Sequence, residues 1–326
     1  MDDILIACSS QSILDDMKRD MKRQLTDRFK MKDLGESRII LGMDITRDYV
    51  NRTISLSQSR YAQKVIDRFG MSSARGMSTP MDPEVDLTAD GPPCSEPYRE
   101  AIGSLMYLMV GSRPDLAYCI GRLSKYVQNP TAVHWDAVKR VIQYVSRTKD
   151  LGLVFGGTNG SKTPQVYADA DWAGDCETRK SMSGYVAMMG GAAVAWGARQ
   201  QEVVALSSAE SEYISMCTGA RETVWLRRLV SGMKVVGRMD DPTTMFADNQ
   251  AAKALANSSA INRRNKHIDV RYHYIRQVIE DGILEPQYLP TDEMAADMLT
   301  KPLGRVKLQK FRSQVGLKET DSAKRQ

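Results

Sequence analysis

Val166-Tyr-Ala-Asp-Ala-Asp-Trp-Ala-Gly-Asp175 is the stretch that decides the fold. Its first part, Val166–Asp169, reads as a short apolar strand that carries a carboxylate. A charge on a buried strand is costly unless something offsets it. Two more short apolar runs follow, Gly184–Met189 and Ala192–Trp196, joined by Gly190–Gly191. That is a hairpin pattern. Ser207 then caps a long helix, with Glu210 three residues on as a capping box. Tyr213, Met216, Ala220 and Val224 mark the buried face of that helix. Met245–Ala247 reads as a fourth strand, after which Asp248 opens a helix. Ile268–Asp281 reads as a helix closed by Gly282, and Tyr288–Leu289 lies in a last strand. Thr291 caps a final helix that ends before Pro302. The order β-β-β-α-β-α-α-β-α predicts an α/β domain with a mixed sheet.

Four acids occupy special places in this pattern. Asp169 lies on the first strand, Glu212 in the first turns of the long helix, Asp248 after the fourth strand, and Asp297 on the final helix. Divalent metal ions offset such charge, and Mg²⁺ suits carboxylate oxygens bridged by a substrate phosphate. Two such ions about 3.5–4 Å apart can clamp a phosphodiester during in-line displacement. Taken singly, each acid also fits a blander role. Asp248 is a plausible N-cap, and Asp292 and Glu293 suit the first turn of a helix. Asp171 and Asp175 stand as alternatives to Asp169, and Glu210 as an alternative to Glu212, although Glu210 already has a capping role.

Upstream, Ile13, Met17, Met21, Leu25 and Phe29 recur every four residues within Ser12–Lys32. This predicts an amphipathic helix whose methionines pack a core. Ile39–Ile45 and Thr53–Leu56 read as a hairpin, and Tyr61–Phe69 as a short helix stopped by Gly70. The proline-rich run within 81–97 reads as a linker. Tyr98–Asp150 carries three apolar stripes and predicts three helices, with Ser112 before Pro114 as a helix-start signal. The pattern changes at Leu151. The divisions expected are therefore 1–80, a linker 81–97, a helical segment 98–150, an α/β domain 151–303 and a basic tail 304–326.

The chain has 326 residues, of which 42% are hydrophobic and 26% charged, an ordinary globular composition. Its five cysteines are scattered and never spaced as C-x-x-C, which argues against a zinc site or a disulfide frame. With three histidines, a histidine-based metal site is nearly excluded. The net charge is +5, and the tail's seven Lys/Arg against Glu319 and Asp321 account for all of it. Bulk charge therefore gives little support to nucleic-acid binding. No apolar run reaches the roughly 18 residues of a spanning helix. The expectation is an intracellular chain, in a cytoplasmic particle or the nucleus, with no membrane partner.

The motifs carry a family likeness. Tyr167–Asp175 followed by Arg179–Tyr185, Val204–Tyr213, Phe246–Ala252 and Leu289–Pro302 resemble, in order, the acid-bearing segments of the RNase H domain in copia-type LTR-retrotransposon Pol polyproteins. Phe29–Gly35, Leu56–Gln58 with Tyr61, Ser78–Pro80 and Ser112–Tyr118 resemble the rear palm, thumb and connecting segments of the same polyprotein. Met1–Asp2–Asp3 looks like the end of the polymerase aspartate motif.

The resemblance implies an RNase H-like mixed five-stranded sheet with flanking helices. A truncated palm (1–80) and a helical thumb/connection segment (98–150) would precede it. It implies an endoribonuclease that cuts the RNA strand of RNA/DNA hybrids with two Mg²⁺ or Mn²⁺ ions. The acids carried over are Asp169, Glu212, Asp248 and Asp297. Asp2 and Asp3 would be remnant polymerase carboxylates, inert without the parent's N-terminal palm and fingers, so no DNA synthesis by this chain alone is expected. Arg179, Lys180, Arg199, Arg263, Arg264 and Lys266 are candidate phosphate contacts, with Lys125, Lys139 and Arg140 further candidates on the helical segment. His267 and His273 receive no role. The competing readings are an inactive retroelement remnant that at most binds nucleic acid, and another nuclease of the same fold.

Overall fold

The structure is a computed structural model that describes residues 4–320 apart from 9, 26–27, 30–31, 89–90, 158–160, 162, 234–238, 259–267 and 269. Asp2, Asp3, Arg263, Arg264, Lys266 and His267 thus lie outside the described residues.

Helix α1 spans Gln11–Leu25, shorter than the predicted Ser12–Lys32. None of its residues is buried, so the expected core role of its methionine row does not hold among the described residues. Ile39–Ile45 is not one strand. Leu41 (φ 51°) and Gly42 (φ 74°) make a two-residue turn between β1 (Ile39–Ile40) and β2 (Met43–Asp48). Positive φ at both central positions is what a type I′ hairpin turn demands. Strand β3 (Thr53–Ser57) pairs antiparallel with β2, and α2 (Ser59–Arg68) follows.

Three helices then form as the stripes predict, α3 (Tyr98–Gly111), α4 (Ala117–Ser124) and α5 (Ala132–Arg147). Ser112 ends α3 rather than starting a helix. Its N–H donates to Leu108 O and its hydroxyl donates to Gln58 Oε1 at 2.8 Å. Pro114 opens a 3₁₀ turn, Pro114–Leu116, that leads into α4. Its missing N–H costs nothing at a helical N-terminus.

The strand at Leu151, where the α/β domain was expected to begin, joins the first sheet instead. Strand β4 (Leu151–Gly156) pairs antiparallel with β3, Leu56 lying opposite Leu153. The second sheet begins with β5 (Gln165–Asp171), β6 (Met182–Met189) and β7 (Ala192–Gln200), all antiparallel neighbours. Helix α6 (Ser208–Met233) leads to β8 (Thr243–Ala247), α7 (Gln250–Ala256), α8 (Tyr274–Glu280) and β9 (Leu284–Tyr288). The strand order is β7-β6-β5-β8-β9, with β8 parallel to both β5 and β9. This is the mixed five-stranded sheet expected. Helix α8 is shorter than the predicted Ile268–Asp281, because a 3₁₀ turn, Val270–His273, precedes it.

The C-terminal part differs more. In place of one last α-helix the chain makes two 3₁₀ turns, Thr291–Glu293 and Ala295–Leu299. The segment read as a basic tail holds helix α9 (Arg305–Gln314) and strand β10 (Leu317–Glu319). Arg305 and Lys310 are exposed on α9, Lys307 and Arg312 turn inward to Asp297 and Tyr144, and Leu308 and Phe311 are buried. Strand β10 pairs antiparallel with β4, completing the first sheet in the order β1-β2-β3-β4-β10. Residues 321–326 lie outside the described set.

Successive side chains of a strand point to opposite faces. Along β5, Val166 and Ala168 enter the core shared with Tyr213, Met216 and Ala220 of α6. Tyr167 enters the other core, which holds the buried residues of α2–α5, the 295–299 turn and α9. The second sheet is thus covered on both faces, and Asp169 has the parity of Tyr167. Among the described residues, no helix is long and apolar enough to cross a membrane.

Candidate metal centre

Asp169 is 1% exposed near the end of β5. Beside it, parallel strand β8 runs out at Ala247 and leaves Asp248 at the same end of the sheet. The helix cap read for Asp248 belongs to its neighbour, since the Asn249 side chain accepts the Ala252 N–H at 3.0 Å. Asp248 is therefore released from capping, and it accepts a hydrogen bond from the Thr291 hydroxyl at 2.8 Å. The third acid arrives on the Ala295–Leu299 turn, where Asp297 is fully buried. That turn lies so close to β6 that a Cβ on Gly184 would come within 2.8 Å of Leu299 Cβ. Only glycine allows this approach.

One carboxylate oxygen from each of Asp169, Asp248 and Asp297 falls within 4.8 Å of the others. Glu212 on α6 is outside that set, but it is 5% exposed and its Oε2 has no hydrogen-bond partner. The negative charges of Asp169 and Asp248 act on it. Burial, reinforced by those two charges, pushes the Glu212 carboxyl up to about 10. Burial likewise pushes Asp169 up to about 7, with Asp297 and Asp248 adding to the rise against the opposing pull of Lys301 and Thr300. At both carboxyls a bound cation would compete with protons.

Two ammonium groups already sit at the carboxylates. Lys301 Nζ is 2.8 Å from Asp297 Oδ1 and 3.8 Å from Asp169 Oδ2. Lys307 Nζ is 2.6 Å from Asp297 Oδ2. The Thr300 hydroxyl donates to Asp169 Oδ2, and Ser215 Oγ donates to Asp169 O at 2.6 Å, which ties β5 to α6. Thr300, Lys301 and Lys307 carry no site role in the sequence reading, and Thr291 is read there only as a helix cap. The i, i+4 spacing from Asp297 to Lys301 was a visible signal.

The neighbouring acids separate by geometry. Glu210 accepts the Leu206 N–H at 2.8 Å and receives its own cap from Ser207, so it serves the helix start. Asp175 accepts from Arg122 at 2.8 Å, from Lys125, and from the Thr178 N–H and hydroxyl. Asp171, raised by burial, lines a small cleft with Tyr118, Arg122, Lys180, Gln200 and Thr300.

Of the predicted phosphate contacts, Arg179 and Lys180 stand at the loop before β6, Arg179 in a left-handed conformation (φ 55°). Arg199 is exposed and 3.6 Å from Glu202. Lys125 is committed to Asp175, Lys139 to Asp136, and Arg140 to Asp82 and Thr79. His273 meets the Tyr213 hydroxyl through Nδ1 at 2.9 Å. The five cysteines are free thiols.

Three convergent aspartates, two of them buried, beside the unpartnered Glu212 Oε2 form a set of hard oxygens that fits divalent cations such as Mg²⁺. The fit is of donor chemistry and does not select a metal.

The chain is similar to several known proteins. A family model described as "Reverse transcriptase (RNA-dependent DNA polymerase)" matches residues 1–83. The retrovirus-related Pol polyprotein from transposon TNT 1-94 of Nicotiana tabacum is 37% identical over 97% of this chain, which covers 24% of that relative. The putative transposon Ty5-1 protein of Saccharomyces cerevisiae is 31% identical, over 69% of this chain and 71% of its own length. Among solved structures, LC11-RNase H1 in complex with an RNA/DNA hybrid aligns with a TM-score of 0.31 and 13% identity, covering 42% of this chain and 93% of that one. A likeness that weak carries nothing about chemistry. The chain spans about a quarter of the length of the curated Pol polyproteins it matches first. By its identity to these relatives along nearly its whole length, the chain belongs to the retrovirus-related Pol polyproteins of copia-type LTR retrotransposons.

Proposed function

We propose that this chain carries the ribonuclease H activity of such a polyprotein and hydrolyses the RNA strand of an RNA/DNA hybrid at Asp169, Glu212, Asp248 and Asp297. One observation supports this above the others. Carboxylates from the end of β5, the end of β8 and the 295–299 turn meet within 4.8 Å, beside a buried glutamate with an unpartnered oxygen. Two divalent ions, Mg²⁺ or Mn²⁺, would supply an activated water and stabilise the departing 3′-oxygen.

The chain's own residues hold and aim the charge. Asp169 and Asp297 are fixed by burial, Asp169 is oriented by Thr300, and Asp248 by Thr291. The hybrid would be recognised by shape and by its ribose 2′-hydroxyls rather than by sequence. Arg179, Lys180 and Arg199 are the described cations that would meet its phosphates, and Arg263, Arg264 and Lys266 remain proposed on sequence grounds.

The test is a labelled RNA/DNA hybrid incubated with Mg²⁺ and either the wild-type chain or Asp248→Asn. RNA cleavage by the wild type alone supports the proposal. Inactivity of both favours a remnant that at most binds nucleic acid. Cutting of duplex DNA points to a different nuclease of the same fold.

A further inference from the structure

We infer that Lys301 is a resident counter-cation, which occupies the carboxylate pair Asp169–Asp297 until a divalent ion displaces it. The inference rests on the metal-binding reading above and adds a residue to it. Like charges packed in a dry seam repel, and the repulsion must be offset by something within a few ångströms. Lys301 Nζ bridges the pair, 2.8 Å from Asp297 and 3.8 Å from Asp169. Lys307 pairs with Asp297, and its ammonium lies 5.4 Å from the ring centre of Phe311, one turn further along the same helix. The two lysines are therefore not equivalent. Lys301 comes from the residue after Thr300, which holds Asp169, so one short segment both orients a ligand and neutralises it.

The Lys301 side chain remains 31% exposed, so its long stem has a way out toward solvent while its head lies among the acids. A divalent ion bound between Asp169 and Asp297 would stand where this ammonium stands. Two consequences of opposite sign follow. Removing the charge leaves the metal-free fold with uncompensated carboxylates and lowers its stability. The same removal deepens the negative potential at the site and tightens metal binding, on the order of tenfold for a unit charge this close. A purely structural lysine would lower stability without tightening metal.

The experiment compares the wild-type chain with Lys301→Met, Lys301→Arg and Lys307→Met. Mn²⁺ is titrated calorimetrically, and thermal unfolding is followed in chelator. The expected result is a lower metal-free Tm and roughly tenfold tighter Mn²⁺ for Lys301→Met. Lys301→Arg should behave near wild type, and Lys307→Met should shift Mn²⁺ binding less. Unchanged or weaker Mn²⁺ binding by Lys301→Met overturns the inference, whatever happens to Tm. Hybrid cleavage separates the two readings. If RNA is not cut but Mn²⁺ still tightens in Lys301→Met, the counter-cation role stands and the nuclease falls. If RNA is cut and the Mn²⁺ midpoint does not move, the reverse holds.

Discussion

Arg122 on α4 lies 2.8 Å from the buried carboxylate of Asp175, an ion pair that joins the helical segment to the loop after β5. Lys125 reaches the same oxygen. Burial alone would push Asp175 up, but Lys125 and Thr178 outweigh it and hold the carboxyl well below its ordinary range. A depressed carboxylate contributes stability that is present above its unfolded value and lost as pH falls through its folded one. The clamp should thus survive into strongly acid solution. Asp175→Asn leaves two cations facing a neutral group and should cost about 3 kcal/mol, the low end for breaking a buried pair. Urea unfolding would measure it, and a cost near zero would remove Asp175 from the coupling of the two parts.

The metal-free chain should lose stability as pH rises. Asp169 at about 7 and Glu212 at about 10 hold protons in the fold that the unfolded chain releases near 3.8 and 4.5. Their contribution is complete below those unfolded values and fades as pH climbs through 7 and toward 10. Thermal scans in chelator from pH 5 to pH 9 should show a falling Tm, flattened by Asp169→Asn or Glu212→Gln. Added Mg²⁺ should restore more stability at pH 9 than at pH 6, because ions and protons compete for the same oxygens. A Tm independent of pH in both media would contradict this.

Glu210 and Glu212 should separate cleanly on mutation. Glu210→Ala removes a helix-start contact and should cost about 1 kcal/mol with RNA cleavage intact. Glu212→Gln keeps the shape of the side chain and removes its charge. It should reduce cleavage by more than about a hundredfold, beyond the effect of a typical supporting residue, with no loss of metal-free stability. Equal effects of the two substitutions on turnover would undo the assignment of Glu212.

Thr300 should matter through Asp169. Thr300→Val deletes the hydroxyl that donates to Asp169 Oδ2 and should weaken Mn²⁺ binding by about 10–100-fold, as loss of a ligand's supporting hydrogen bond does. Thr300→Ser retains the donor and should bind near wild type. Calorimetry on both variants decides, since a packing role would be kept by Val and lost by Ser, the opposite ranking.

A second buried network links the segment after α3 to the C-terminal helix. Arg113 and Asp115, each 2% exposed, pair at 2.8 Å, and Arg312 of α9 donates to the Tyr144 hydroxyl at 2.9 Å. Tyr144 in turn donates to Asp115 Oδ2 at 2.5 Å. Asp115→Asn strands a buried guanidinium and should cost about 3–5 kcal/mol. Arg312→Met, at the edge of the network, should cost less. Circular dichroism melts of the two variants would rank them, and the opposite ranking would show that α9 anchors the network.

Much of the second sheet was legible along the chain. The apolar runs at Val166, Gly184, Ala192 and Met245 each became a strand, since alternation and turn glycines report local burial directly. The four acids were legible as types at strand and helix ends. The misreadings have separate causes. Leu151–Gly156 is a strand by its own pattern, but nothing in that pattern says which sheet it joins. Leu317–Glu319 is too short to announce itself beside the basic residues around it. The α1 stripe has the right period and no buried residue, because period reports amphipathicity and not the presence of a partner.

The sequence by itself determined most strands of the second sheet, the long helix that starts at Ser207 and the family to which the chain belongs. Only the tertiary structure decided that Asp169, Asp248 and Asp297 converge, that Asp175 pairs with Arg122 instead, and that Lys301 lies between two of the acids. Local propensity acts over a few residues of chain. Which charges meet, and what protonation state they keep, depends on contacts between distant segments and on the water that those contacts exclude.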